Sequence, residues 1–237
     1  MTVSHNEQGM FFYWKIMALS DRKMRQFEQR EREILDVALE LFSQPDWESV
    51  TIAKIAHAAD IGKGTIYKHF SSKDEILFRL TMQFENGLFN HLTNDYEITD
   101  DDLLDYMRSI IQGALQYHRS HKQYRYVVEY VHCAAFKERI DPSWFEVMDS
   151  LNKRYEDWFG PILHEAMNRS LITKRSFRDV YIGFYTSLQG SVNMIWAEKD
   201  WMMAQPSEHL ITIITDFIMA GIIGNPKAQN QQSQFTP

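Results

Sequence analysis

The strongest constraint on how this chain folds lies in residues 51–70, which read TIAKIAHAADIGKGTIYKHF. In the first half, Ile52, Ile55, Ala56 and Ala59 have the i, i+3, i+4, i+7 spacing that places apolar residues on one face of a helix. Thr51 precedes them, where its hydroxyl can cap the first turn. Residues 60–62, an Asp-Ile-Gly break, then tolerate a tight turn. The stretch therefore predicts two short helices joined by a three-residue turn.

The second of these helices has one apolar side and one side rich in hydrogen-bond donors. Ile66 and Phe70 are spaced i, i+4 and can pack inward. The remaining side chains suit phosphate oxygens and base edges, so a short helix that carries them fits a DNA major groove. A lysine in the first turn of the following helix lies where free amides favour an anion. The predicted DNA-binding residues are Thr51, Lys63, Gly64, Thr65, Tyr67, Lys68, His69 and Lys73.

Charge supports this prediction locally. Residues 51–73 contain four lysines and one aspartate, a net of +3, so the remainder of a chain with formal net charge -7 carries -10. A positive region confined to one small unit is typical of an acidic protein that meets DNA with a single face.

The pattern TxxxIAxxAxIxKGTIYxHFxSKxEIL, preceded by REREILDVALELFS, resembles the DNA-binding domain of the tetracycline-repressor (TetR/AcrR) family of bacterial transcriptional regulators. The resemblance covers residues 28–88. It departs from the family pattern at Asp60, where glycine is common, and at Gly62, where serine or threonine is common. Both residues are compatible with the turn, because aspartate tolerates positive φ and glycine can begin a helix.

The rest of the chain predicts an all-α fold with no strands. Glycine and proline are scarce, with 10 and 6 residues, and β-branched alternation is rare. In SSKDEIL, Ser72 as N-cap and Glu75 three residues later predict a capping box that starts a linking helix. Further helices are predicted at 29–43, 100–119, 122–137, 142–170, 176–199 and 206–223. The predicted organisation is a flexible arm (1–27), a three-helix helix-turn-helix domain (28–88), a larger helical ligand-binding and dimerisation domain (89–224) and a disordered tail (225–237).

The larger domain is rich in aromatic residues, most of which are expected to form its core. A helical bundle with many amphipathic rings can also line an apolar cavity in which a few hydroxyls orient a ligand. The family resemblance implies such a pocket for a small, largely apolar effector that lowers DNA affinity. The candidate pocket residues are Tyr106, Tyr130, Trp158 and Tyr185.

The last two predicted helices indicate a homodimer. They offer small residues that allow close helix approach, and the final helix is apolar nearly all round. In the resembled family these two helices pair with their copies, and a two-fold dimer matches a palindromic operator. The candidate interface residues are Gly183, Ser187, Gly190, Ser191, Ile214 and Phe217.

Two other classes of function remain as alternatives. An all-α metal enzyme or metal sensor is suggested by His118, His121 and His132, but no HExxH motif or catalytic serine or cysteine motif accompanies them. A helix-turn-helix protein without any effector is the second alternative. The favoured interpretation is a repressor that is not an enzyme and requires no metal or cofactor.

The apolar stretch 10–19 (MFFYWKIMAL) is too short to cross a membrane. Together with the lone Cys133, which excludes an internal disulfide, it predicts a soluble cytoplasmic protein at the nucleoid, without a membrane partner. Because this stretch lies far upstream of the family-like residues, translation from Met17 or Met24 is an alternative start.

Overall fold

The computed structural model describes residues 5–94, 102–197 and 207–224, and the regular elements in these ranges are all helices. The all-α prediction is therefore confirmed for the described residues. The predicted tail at 225–237 lies outside them. The ten α-helices are α1 (His5–Phe42), α2 (Ile52–Ala58), α3 (Lys63–His69), α4 (Lys73–Asn94), α5 (Leu103–Ser120), α6 (Arg125–His132), α7 (Ala134–Lys137), α8 (Pro142–Asn168), α9 (Phe177–Trp196) and α10 (Ser207–Ile223).

The first helix is much longer than the sequence predicted. Helix α1 begins at His5, so the expected flexible arm of residues 1–27 is helical from there onward. The charged run near its middle stabilises a helix through pairs one turn apart: Arg30 Nη1 lies 2.9 Å from Glu33 Oε2, and Gln29 hydrogen-bonds to both Arg32 and Glu33. These pairs lie just after the expected arm, and the residues that precede them, rich in Arg, Lys, Gln and Glu, have good helix propensity and continue the helix toward the N-terminus.

The described chain divides into two compact units. The first comprises Met1–Met82 together with Tyr126–Phe136, and the second comprises Gln83–Arg125 and Lys137–Pro237. The boundary falls inside α4, and the return of residues 126–136 to the first unit was not expected from the sequence. We call the unit that contains Met1–Met82 the N-terminal unit and the other the C-terminal unit.

In the N-terminal unit, α1, α2 and α3 pack against one another. The inner stripe of α1 buries Ile34, Ala38 and Phe42 completely, and α3 contributes Ile66 to the same core. This packing fixes the two short helices, since neither is long enough to be stable alone.

In the C-terminal unit, α5, α9 and α10 pack against one another and α8 packs against α5. Helix α8 continues through Pro161. The predicted helix 122–137 is instead a 3₁₀ turn at Lys122–Tyr124 followed by α6 and α7, which are separated at Cys133. Among the described helices, none is both long and apolar enough to span a lipid bilayer.

Candidate functional site

The turn between α2 and α3 is built as its sequence predicts. Thr51 Oγ1 accepts a hydrogen bond from the Lys54 amide at 3.2 Å, which caps α2. Asp60 adopts the left-handed conformation with φ 52°, and this lets the Ile61 amide reach the Ala56 carbonyl at 3.0 Å. Gly62 begins α3 without a side-chain cap. The structure therefore forms the helix-turn-helix with the departures from the family pattern in place.

Helix α3 presents a polar face to solvent. Ile66 and Phe70 are buried at 0% and 1% exposure and hold the helix to the core. Lys63, Gly64, Tyr67 and Lys68 are exposed, and the exposed fraction of Tyr67 is 58%. Thr65 is half-buried beside them. An exposed aromatic ring between two lysines, on a helix fixed by two buried anchors, is a rigid surface suited to a phosphate backbone.

His69 does not lie on this face, which corrects its predicted role in DNA contact. Its side chain is 7% exposed, and its ring packs on Phe27 of α1 with centroids 4.0 Å apart. Its Nδ1 lies 3.8 Å from Glu31 Oε1 and makes no hydrogen bond. His69 therefore joins α3 to α1. The sequence pattern could not reveal this, because a histidine that ends a helix is compatible with either face.

Lys73 is engaged within the N-terminal unit. Its Nζ donates to the Glu48 carbonyl at 3.1 Å and lies 5.5 and 5.7 Å from the ring centroids of Phe42 and Trp47. Burial lowers the pKa of Lys73. The ammonium therefore closes the loop before α2 onto the start of α4, and only its remaining donors are available for a phosphate.

The start of α4 confirms the predicted cap with one difference. The Glu75 amide donates to Ser72 Oγ at 3.1 Å. Glu75 Oε2 accepts from both the amide and the hydroxyl of Ser71 at 2.7 Å, instead of from the Ser72 amide. The backbone half of the capping box is therefore as predicted, whereas the Glu75 side chain bonds to Ser71, one residue earlier than predicted. Together the two halves satisfy two backbone amides near the start of α4.

Tyr130 does not join the other candidate pocket residues. It lies in the N-terminal unit, where its ring meets Trp47 edge-on at 5.0 Å and Phe136 at 5.4 Å. Tyr126 stacks on the same indole at 6.3 Å. These rings hold residues 126–136 to the helix-turn-helix unit.

The other three candidates lie in the C-terminal unit within an aromatic region between α4, α5, α8 and α9. Trp158 hydrogen-bonds to Tyr106, whose pKa is raised by burial. The ring centroid of Trp158 lies 6.0 Å from that of Phe89 on α4 and 5.9 Å from that of Phe159. Tyr185 of α9 stacks on Tyr181 at 6.0 Å. The region therefore has rings from several helices, as expected of an amphipathic pocket wall.

Sequence reasoning missed the polar members of this region, chiefly Glu85 and Tyr155. Glu85 lies one turn after the buried Thr81 and beside the buried Phe84. Although the residue is partly exposed, its carboxyl is surrounded by protein, and burial raises its pKa to about 7. An acidic residue on the inner stripe of α4 was the available signal, because a buried polar residue is more informative than a buried apolar one.

Helices α9 and α10 carry an exposed apolar face. Phe217 is 75% exposed, Ile182 49% and Ile213 47%. A cavity of ≈ 230 Å³ lies beside Phe217 and is lined by Gly183, Ser187 and neighbouring residues of both helices. We call this surface, which includes Phe217, Ile182, Ile213 and the lining of the cavity, the α9–α10 face. It contains three of the candidate interface residues.

The other candidate interface residues are placed differently. Gly190 is exposed, and a side chain added there would meet nothing within 4 Å. The Ser191 hydroxyl donates to the Ser187 carbonyl within α9. Ile214 is buried in the core of its own chain at 9% exposure, so its neighbour Ile213 takes the outward position.

The histidines that motivated a metal site face other partners. Nδ1 of His118 lies 2.7 Å from the Ala114 carbonyl, and Nδ1 of His121 lies 2.8 Å from the Tyr117 carbonyl. Across residues 5–94, 102–197 and 207–224, no three His, Cys, Asp or Glu side chains come together as a metal site.

Comparison with known proteins gives one family. Residues 34–80 match the family model "Bacterial regulatory proteins, tetR family". The HTH-type transcriptional regulator AcrR of Shigella flexneri is 33% identical over 112 residues, which cover 46% of this chain and 52% of that protein. The HTH-type transcriptional repressor KstR2 of Mycobacterium tuberculosis is 35% identical over 69 residues, covering 29% of this chain and 34% of that protein. The chain spans about half the length of the first relative and less of the second.

Solved structures extend the likeness to most of the fold. The fatty acid degradation regulator FadR of Bacillus halodurans has a TM-score of 0.64 at 16% identity, covering 83% of this chain and 97% of that one. The TetR family transcriptional regulator PfmR of Thermus thermophilus has a TM-score of 0.59 at 19% identity, covering 81% and 96%. At these identities the likeness concerns the fold alone.

Proposed function

Because the chain belongs to the TetR family of bacterial regulatory proteins, we propose that it is a ligand-responsive transcriptional repressor and not an enzyme. In this proposal a homodimer binds a palindromic operator in the cytoplasm, at the nucleoid, and a small, largely apolar effector releases it. The observation that carries the proposal is the exposed face of α3, where Tyr67 stands between Lys63 and Lys68 above two buried anchors.

The roles on this face follow from side-chain chemistry. Lys63, Tyr67 and Lys68 donate to phosphate oxygens and fix the position of α3 on the duplex. Thr65, helped by Lys63, reads base edges through its hydroxyl and methyl groups. Gly64 has open space around it, so the backbone of α3 can approach DNA closely there. The hydroxyl of Thr51 already caps α2, and its contribution is to hold that helix.

A dimer is proposed because one seven-residue helix reads too few base pairs for a specific site. The α9–α10 face supplies the exposed apolar surface that such an interface requires, and Phe217 is 75% exposed on it. The ≈ 230 Å³ cavity beside this ring is suited to receive an apolar side chain from a second copy.

Variants of the α3 face test the DNA-binding proposal. A duplex selected from a random pool by the wild-type protein serves as the probe, and affinity is measured at several salt concentrations. We expect Tyr67→Ala and Lys68→Ala to weaken binding by about fivefold to tenfold each, and Lys68→Ala to reduce the salt slope by about one unit. The same charge change at Lys153→Ala, on the exposed surface of α8, is the matched control.

The proposal fails if the two α3 variants bind the selected duplex like the Lys153→Ala control. It also fails if no duplex is enriched from the random pool. Circular dichroism melts of each variant separate loss of DNA contact from loss of fold, because all three side chains are exposed and their removal should leave the melting temperature nearly unchanged.

A further inference from the structure

The extension of α1 before the core carries one strongly basic turn. Residues 22–25 read Arg-Lys-Met-Arg, so a single helical turn holds three positive charges. All three side chains are exposed, whereas the first fully buried residue in the described part of α1 is Ile34. We call Arg22, Lys23 and Arg25 the basic turn. The DNA contacts proposed for α3 do not involve it.

The charges of the basic turn are not neutralised by the neighbouring side chains that the structure describes. Residues 21–28 contain these three basic and two acidic residues, a net of +1. Yet within the described part of the chain the three basic side chains form no ion pair and no side-chain hydrogen bond. Further along the same helix, Arg30 pairs with Glu33 and Arg32 bonds to Gln29, both at 2.9 Å. The basic turn therefore has its charges available for an external partner.

The basic turn lies beside the end of α3. Phe27 packs on His69, the last residue of α3, with ring centroids 4.0 Å apart. Lys23 precedes Phe27 by four residues, so it lies on the same side of α1, about 6 Å further along the helix axis. The exposed Lys68 of the proposed DNA-binding surface immediately precedes His69. The two positive surfaces are therefore neighbours within the N-terminal unit.

Packing sets the position of the basic turn. Phe27, Glu31, Ile34 and Ala38 follow the i, i+4, i+7, i+11 spacing of one helix face, and the last two are fully buried. Helix α1 packs through this face against α2 and α3. Side chains on a continuous, anchored helix are already held in place, so little backbone freedom is lost when they bind.

We propose that the basic turn contacts DNA phosphates beside those held by α3. This inference rests on the proposed DNA-binding function and deepens it. Arginine and lysine side chains contact phosphate oxygens, and such contacts position a protein without reading sequence. The basic turn has the same charge sign as Lys63 and Lys68, so one polyanion attracts both surfaces. It extends the contact along the DNA backbone and adds affinity that depends on salt.

The first test removes the three charges and follows DNA affinity against salt with the full chain. The probe is the duplex that the wild type selects from a random pool. We call Arg22→Gln/Lys23→Gln/Arg25→Gln the triple variant; glutamine keeps the helix propensity of the residues it replaces. With one phosphate contact from the basic turn of each protomer in the proposed dimer, the salt slope should fall by about 1.8. The affinity advantage of the wild type should therefore shrink by about tenfold between about 50 and about 200 mM salt.

A matched control removes the same charge from the C-terminal unit. Lys153→Gln/Arg169→Gln/Arg178→Gln changes three exposed basic residues there. This control should leave the salt slope within about 0.5 of the wild-type value, since its residues make no proposed phosphate contact. If the triple variant and this control have the same slope, net charge alone explains any loss and the proposal is overturned.

A charge-conserving variant separates phosphate contact from a structural role of the same residues. Arg22→Lys/Arg25→Lys keeps every positive charge and should retain the wild-type affinity within about twofold. A loss as large as that of the triple variant would contradict the proposal. Far-UV circular dichroism shows whether α1 stays helical in each protein. If the triple variant loses helix, Lys23→Gln replaces it and must itself lower the salt slope by about 0.9 or more.

Neutral phosphates locate the contact on the DNA. Methylphosphonate linkages are placed one at a time along the selected duplex, and each removes one backbone charge. Linkages touched by the basic turn should weaken the wild type by about threefold or more and leave the triple variant unaffected. They should lie next to, and outside, the linkages to which Lys68→Ala becomes insensitive. If the wild type and the triple variant respond to the same linkages, the basic turn does not contact the backbone.

Failure of this inference and failure of the proposed function give different results. If Tyr67→Ala and Lys68→Ala weaken binding while the triple variant binds like its control, α3 binds DNA and only the contact of the basic turn is excluded. If no duplex is enriched, or if the α3 variants have no effect, the proposed function fails and this inference fails with it.

Discussion

Replacing Glu85 with glutamine should change how the stability of the protein depends on pH. Burial raises the pKa of this carboxyl from 4.5 to about 7. Below pH 4.5 the group is protonated in both the folded and the unfolded state, so it does not lower the free energy of unfolding. Between the two values only the unfolded chain ionises freely, and above about pH 7 the full cost of the buried charge applies.

The magnitude follows from the size of the shift. The rise of the pKa from 4.5 to about 7 corresponds to about 3 kcal/mol, and most of this free-energy cost develops between pH 5 and pH 8. Glu85→Gln removes the ionisation and keeps the shape of the side chain. The free energy of unfolding of the wild type should therefore fall by roughly 2–3 kcal/mol relative to the variant over this interval.

The assay is urea unfolding of both proteins at pH 5, 6, 7 and 8. One protein concentration is used throughout, because the stability of the proposed dimer would depend on it. The difference between the two curves is the quantity of interest, since it cancels all other titrating groups. Parallel curves, with a constant offset at every pH, would refute the idea that the Glu85 carboxyl is forced to ionise in a buried site.

Three further substitutions follow from contacts in the two units. Phe217→Glu places a charge on the exposed α9–α10 face and should convert a dimer into a folded monomer in light scattering; an unchanged mass would exclude this face as the interface. Lys73→Ala removes the hydrogen bond to the Glu48 carbonyl and two ring contacts, and should lower the free energy of unfolding by about 1–2 kcal/mol; no loss in urea melts would contradict a structural role. Gly87→Ala should cost about 1–3 kcal/mol, because the added methyl group collides with the Tyr117 hydroxyl; an unchanged melting temperature would contradict that packing.

The helix-turn-helix could be predicted from sequence because its signals are local. The cap at Thr51, the positive φ at Asp60 and the anchors Ile66 and Phe70 each depend on neighbours within a few residues. Short-range spacing determines such features before any tertiary contact forms. The family pattern therefore coincided with the structure in this region.

The errors concern contacts between residues distant in sequence. His69 faces α1, where its ring packs on Phe27 and lies near Glu31. Helical spacing within α3 does not show which residues of another helix pack against that side. Tyr130 was assigned to the larger domain by position, but its segment packs against Trp47. The aromatic region around Trp158 contains rings from α4, α5, α8 and α9, so no single window of sequence contains it.

The indole of Trp47 has a consequence for how this protein could exchange parts with its relatives. Its ring neighbours Tyr126 and Tyr130 are encoded far downstream, although they belong to the same unit. A single recombination crossover after Met82 would transfer α1, α2 and α3 but leave these two rings behind. Transfer of the whole N-terminal unit therefore requires two separate gene segments. In a hybrid protein that receives only the first segment, Trp47 lacks its ring contacts with Tyr126 and Tyr130.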